Sequence, residues 1–312
     1  ERKVTDILIP GGKDYPALIG DDNLPFENAG VLKTTGFELQ AKWSDKLSNG
    51  FAYSVGVALS DDKAEVLSYP SNPTNKIGDG VLYKGYTVGD IWGYETGGIL
   101  QESDFDGVGP NGKPLYHGAY FKGGQPYPGY VWYQDLDHDG VITSGLSTVD
   151  DPGDKKVIGN NAPRYRYNIT ANFQYKGFDL DLMFQGVGKR DYWLKDVSSY
   201  WGGGAGSWET YNQSWTPERT DAKFPMYGSG IGSYAQSGYL LDASYIKLKQ
   251  VILGYTFPKA LIGKVGLEKL RLNIAAYNLF TLSDVPKYYD SDYLSDAYPP
   301  KRTFSVGIQV GF

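Results

Sequence analysis

Toward its C-terminal end the chain alternates without interruption: Phe304, Val306, Ile308, Val310 and Phe312 are apolar, and Ser305, Gly307, Gln309 and Gly311 between them are small or polar. A period of two marks a β-strand with one greasy and one wet face. The same pattern sets Phe37, Leu39, Ala41 and Trp43 against Glu38, Gln40 and Lys42. It recurs with Phe51, Tyr53, Val55, Val57 and Leu59 against Ser54, Gly56, Ala58 and Ser60. Further strands are predicted over 165–175, 178–185, about 243–257 and 270–276; with the opening segment the count is about eight.

The connections alternate in length. Asp45 to Gly50, Lys176-Gly177 and Pro258 to Glu268 are short, whereas about 61–164, 188–242 and 279–302 are long. A transmembrane barrel has this asymmetry, with short periplasmic turns and long extracellular loops. Counting the parity back from the last strand puts Phe312 on the short-turn side. The fold class expected is therefore all-β: the C-terminal portion of a transmembrane antiparallel β-barrel. A soluble β-sandwich or propeller also alternates, but such folds seldom join 10-residue strands by loops of 50 to 100 residues.

Composition agrees. The 312 residues include 41 Gly and 27 Tyr, and aromatics reach 15%, a bias toward turns and strands. The formal net charge of -6 offers no basic footprint for a phosphate backbone, so nucleic acid is not expected as a partner. With no cysteine there are no disulfides, thiolate metal sites or cysteine nucleophiles. No run approaches the roughly 20 apolar residues of a membrane helix, but barrel strands need only about 9 to 11 with every second one apolar. The opening residues, Glu1 to Ile9, read as a cut inside a strand.

Phrases in order along the chain resemble the SusC/RagA-like, TonB-dependent outer-membrane transporters. They are Asn28-Ala29-Gly30 leading into Thr35-Gly36-Phe37-Glu38-Leu39, Gly89-Asp90-Ile91-Trp92-Gly93-Tyr94, Gly98-Ile99-Leu100-Gln101 and Ile158-Gly159. Pro163-Arg164-Tyr165, Tyr175-Lys176-Gly177-Phe178-Asp179-Leu180 and Phe184-Gln185-Gly186-Val187 follow. Leu241 to Lys249, Leu253-Gly254-Tyr255, Asn278-Leu279-Phe280-Thr281, Tyr298-Pro299 and Arg302-Thr303-Phe304 complete the series. The resemblance implies a barrel of about 22 strands with a plugged lumen in the outer membrane of a Gram-negative bacterium, capped by a SusD-like surface lipoprotein. It also implies import of glycans or peptides, with energy drawn through TonB. On that reading residues 1–312 are the C-terminal part of the barrel, and the plug lies outside them.

Two constellations are candidates for ligand chemistry. In Asp135-Leu136-Asp137-His138-Asp139-Gly140-Val141, alternating carboxylates before a glycine let a loop curl oxygens around a hard cation, for which calcium is the natural candidate. The expected ligands are Asp135, Asp137, Asp139 and the carbonyl of Val141. Leu146 stands where an EF-hand-like loop needs its bidentate carboxylate, so Asp150 or Asp151 would have to replace it; a metal-free acidic turn is the competing reading. The second constellation is Trp193, Trp201, Trp208 and Trp215 with Tyr192, Tyr200 and Tyr211, around Gly202-Gly203-Gly204. Such rings can stack on sugars or anchor a protein partner, or they pack the loop and the membrane interface.

No enzyme is expected. His117 and His138 are the only histidines, and there is neither a Gly-x-Ser-x-Gly elbow nor a phosphate loop. The alternatives carried are a soluble, secreted carbohydrate-binding β-domain and a two-carboxylate glycoside hydrolase.

Overall fold

In the computed structural model the described residues are 1–10, 26–193, 211–229, 234–285, 289–294 and 300–312. Eight strands form one sheet in sequence order. They are β1 (Arg2–Pro10), β2 (Phe26–Lys46), β3 (Ala52–Ser68), β4 (Arg164–Tyr175), β5 (Phe178–Lys189), β6 (Tyr245–Thr256), β7 (Lys269–Leu282) and β8 (Thr303–Gly311). The pairings with a defined register are all antiparallel. Among the described residues no helix is long and apolar enough to cross a membrane.

Register carries the alternation from strand to strand. One row runs Tyr53–Phe173–Leu180–Leu253–Ile274–Val306, and the next runs Val55–Ala171–Leu182–Val251–Ala276–Phe304. The rows on the other face are polar or small except at Ile252: Asn172–Asp181–Ile252–Ala275–Ser305 and Gln174–Asp179–Gly254–Asn273–Gly307. Because the side-chain period is two, one register fixes both faces at once.

Between β4 and β5 the whole turn is Lys176 and Gly177, at φ +46° and +89°. Two successive positive φ values are the primed hairpin turn, whose twist matches that of the strands. Gly177 suits the position; a Cβ there would stand 2.6 Å from the Thr256 carbonyl oxygen.

Two strands exceed their predicted ends. β3 continues to Ser68, past the boundary expected near residue 61, and β7 reaches Leu282 rather than stopping before 279. In β3 the reason is electrostatic: Asp61 and Asp62 break the apolar alternation, but across the ladder Arg164 and Arg166 neutralise them, and pairing is not interrupted. β7 absorbs its irregularity at Asn278, which takes the left-handed conformation at φ +54°, one asparagine tolerates better than most residues.

The chain packs as two compact units. One comprises Thr35–Lys63, Pro163–Arg190 and Asp242–Phe312, most of the sheet; the other comprises Glu1–Thr34, Ala64–Ala162 and Asp191–Leu241. The second unit builds its own core from aromatic residues. Tyr94, Val131, Tyr133 and Ile142 are buried together, with Phe121 and Tyr239 against them, and Val66, Ile77, Tyr83 and Tyr86 form a second cluster. Short ladders, Asp90–Tyr94 with Lys155–Asn160 and Thr96–Ile99 with Val131–Tyr133, give it backbone order. Tyr133 receives an amide N–H of the fully buried Gln236 on its hydroxyl. Burial holds the Tyr133 and Tyr239 hydroxyls far above their ordinary pKa and pushes that of Tyr94 to about 12.

Candidate functional site

The acidic turn lies in the aromatic unit, and the structure rearranges the predicted ligand set. Oxygens of Asp135, Asp137 and Asp154 lie within 4.8 Å of one another. Asp154 is 0% exposed and accepts the backbone N–H of Leu136 and of Thr143, both at 2.7 Å. Asp135 Oδ2 accepts the Gly140 N–H at 2.8 Å, while its Oδ1 is buried with no hydrogen-bond partner. That orphaned oxygen beside two further carboxylates fits a hard cation.

The other predicted ligands are not in this set. Asp139 is used locally, its Oδ1 accepting the N–H of Val141 at 2.8 Å, and Val141 enters a two-residue parallel ladder with Tyr120. Asp150 is exposed and outside the trio. Asp154, seventeen residues after Asp137, is the third carboxylate of the cluster. Its signal in the sequence is weak: an aspartate after Pro152-Gly153, outside the spacing of a contiguous calcium loop.

The trio's protonation reflects its crowding. Partial desolvation, and then the charges of Asp154, Asp139 and Asp135, hold the Asp137 carboxyl above its usual range. Desolvation pushes Asp135 the same way, but the backbone N–H groups of Gly140, His138 and Asp139 outweigh it and keep that carboxyl low.

Of the predicted tryptophans, Trp193 is half-buried in the short strand Asp191–Trp193. Trp215 is 3% exposed and donates its indole N–H to Gln101 Oε1 at 2.9 Å. That burial matches the packing alternative for Trp215. Trp201 and Trp208, with Tyr200 and the Gly202 to Gly204 run, lie outside the described residues.

The sheet unit holds a cavity of about 700 Å³ on its polar side, lined among others by Glu38, Gln40, Arg166, Asn168, Gln185, Arg190, Tyr245 and Asp292. Asp292 is fixed there by Lys247, itself 2% exposed, whose ammonium donates to Asp290 and, at 2.8 Å, to Asp292. Lys249 adds a second bond at 3.1 Å. Burial opposes ionisation of Asp292, but the hydrogen bonds from Lys247, Tyr245 and Lys249 prevail and keep its carboxyl below the usual range.

No family model matches the chain. TonB-dependent receptor P3 of Formosa agariphila is 27% identical over 338 residues, covering 99% of this chain and 31% of the receptor. TonB-dependent receptor SusC of Bacteroides thetaiotaomicron is 24% identical over 330 residues, covering 100% of this chain and 29% of that protein. Among solved structures, the RagAB peptide importer in its open-open state superimposes with a TM-score of 0.68 at 20% identity, covering 99% of this chain and 32% of that one. Over nearly its whole length the chain is similar to SusC/RagA-like TonB-dependent receptors. It spans about a third of the length of these relatives.

Two phrases that carry the resemblance meet in space: Asp90 to Tyr94 pairs with the strand containing Ile158-Gly159. A third, Pro163-Arg164-Tyr165, carries the ion pair to Asp61. The relatives are TonB-dependent receptors, and the solved structure is that of a peptide importer.

Proposed function

We propose that the chain supplies part of the wall and outer vestibule of a TonB-dependent importer in a bacterial outer membrane. The observation that carries this reading is the exposed apolar face. Trp43 is 67% exposed and Val306 77%, and Leu39, Phe178, Leu253, Ile274, Phe304 and Ile308 are exposed with them. A soluble sheet would bury such a face; a bilayer makes it the solvated one. A tilted strand crosses the hydrocarbon in about 9 to 11 residues, so β2 with 21 and β3 with 17 continue beyond it.

The cargo on this reading is a nutrient oligomer, glycan or peptide, delivered with a SusD-like lipoprotein and driven through TonB. Support comes from SusC and RagAB as relatives and from a cavity whose guanidinium, carboxylate and amide groups suit polar chains. The test is extraction of the intact protein from membranes: release only by detergent, together with a lipoprotein partner, is expected. A parent protein that stays soluble and monomeric in plain buffer overturns the reading, and sugar release from polysaccharide would favour the hydrolase alternative.

A second reading concerns the acidic turn. We infer that calcium binds Asp135, Asp137 and Asp154, on the ground that Asp135 Oδ1 is buried without a donor. Calorimetric titration of the chelator-treated protein tests this; no heat at millimolar calcium would remove it.

A further inference from the structure

The turn between β6 and β7 differs from the other two short turns in carrying helix: Lys259–Ile262 is one α-helical turn, and Gly263–Val265 continues it as a 3-10 turn. Ile262 is buried, but Leu261 and Val265 are 60% and 73% exposed. Both project from the same short helical turn without cover from the other described residues. Lys259 and Lys264 flank them, exposed, and among the described residues neither joins a salt bridge.

Just above this turn the apolar face becomes aromatic. Phe178 and Tyr255 lie 4.5 Å apart between ring centroids, and Phe257 closes on Tyr255 at 4.9 Å. Aromatic rings at one end of a barrel's apolar band mark the level where hydrocarbon gives way to headgroups. The turn therefore begins where the girdle stops. Its exposed pair continues the apolar face, and its ammonium groups sit at headgroup depth, where long lysine stems reach outward.

We propose that this turn is an interfacial anchor that places Leu261 and Val265 at the acyl boundary and Lys259 and Lys264 against the phosphates of anionic phospholipid in the leaflet on the short-turn side. The proposal rests on the membrane reading above. The occupant is fixed by two features together: continuity with the girdle, and positive charge without a counterion among the described residues. Each lysine near an anionic surface contributes about a fivefold preference, so the pair selects anionic over zwitterionic headgroups by about 25-fold at most.

The experiment uses a cysteine-free background of the intact protein, folded into phosphatidylcholine vesicles with and without phosphatidylglycerol. Single labels are placed at Leu261→Cys, Val265→Cys and Ile308→Cys. Labels at 261 and 265 should be quenched by nitroxides at headgroup or shallow acyl positions and shielded from aqueous iodide. Quenching by headgroup-labelled phosphatidylglycerol should exceed that by labelled phosphatidylcholine, and the double variant Lys259→Glu/Lys264→Glu should bring that ratio back toward one. If 308 meets the deep nitroxide while 261 and 265 remain open to iodide, the anchor is overturned and the membrane reading stands. If 308 also escapes lipid, both fall. A lipid ratio indifferent to the charge reversal overturns the anionic contact.

Discussion

Asp61 and Arg164 form a two-pronged ion pair, Nε to Oδ1 at 2.5 Å and Nη2 to Oδ2 at 2.6 Å, joining β3 to β4. The same Oδ1 accepts the backbone N–H of Tyr165 at 3.1 Å, and Tyr165 holds φ +53°, a conformation that strains a bulky residue. The carboxylate thus steadies a neighbouring backbone as well as a charge. Asp61→Asn should destabilise the folded protein by about 2 to 4 kcal/mol, because a mostly buried guanidinium loses its counterion. Urea titration in detergent measures it, and the pair replacement Asp61→Leu/Arg164→Met should recover much of the loss.

The two faces of β8 should respond differently to charge. Ile308→Arg puts a guanidinium on the lipid side and should cost about 2 to 4 kcal/mol near the midplane. Gln309→Arg faces the polar side and should cost far less. A bilayer folding titration compares them; equal penalties contradict the assignment of faces.

Lys247 ties the 289–294 segment to the wall. Lys247→Met should leave Asp290 without its cation and Asp292 with Lys249 alone, costing about 2 to 4 kcal/mol and raising hydrogen exchange in that segment. Acid should act on the same tether. Asp292 has a folded pKa below its unfolded value, so its contribution is present above the unfolded carboxylate value of about 4 and is lost as pH falls through the folded value. Protection of 289–294 relative to the intrinsic exchange rate should be flat from neutral pH downward and fall only in acid.

Calcium, if bound as inferred, should depend on Asp154 and not on Asp150. Asp154→Asn should weaken calorimetric binding at least tenfold, while Asp150→Asn should leave it unchanged. Asp137, with its raised pKa, favours the folded state when protonated and disfavours it as pH rises through that value. Calcium competes with that proton, so affinity should climb across the same window.

Much of the fold was legible because a strand's two-residue period survives translation into structure: the rows through Val306 and Phe304 on β8 are those the alternation marks. What could not be read depends on partners distant in sequence. Asp61 looked like the end of a strand until Arg164, on the far side of the long connection, neutralised it. Asp154 could not be joined to Asp135 and Asp137 without knowing that the chain returns there, and Asp139, which fits the motif better, turns to Val141 instead. Tryptophan content says nothing of exposure, so Trp215 could not be told from a binding platform. The aromatic core around Tyr94 and Tyr133 carries no period at all; it is held by T-shaped and tilted ring contacts between distant segments.

The two-residue hairpin at Lys176 and Gly177 sets which face of β5 is apolar. One residue added there would rotate every following position of β5 by half a period, offering Asp179 and Asp181 to the hydrocarbon and turning Leu180 and Leu182 toward water. The length of this one turn therefore decides whether the carboxylates or the leucines of β5 line up with the apolar rows of its neighbours.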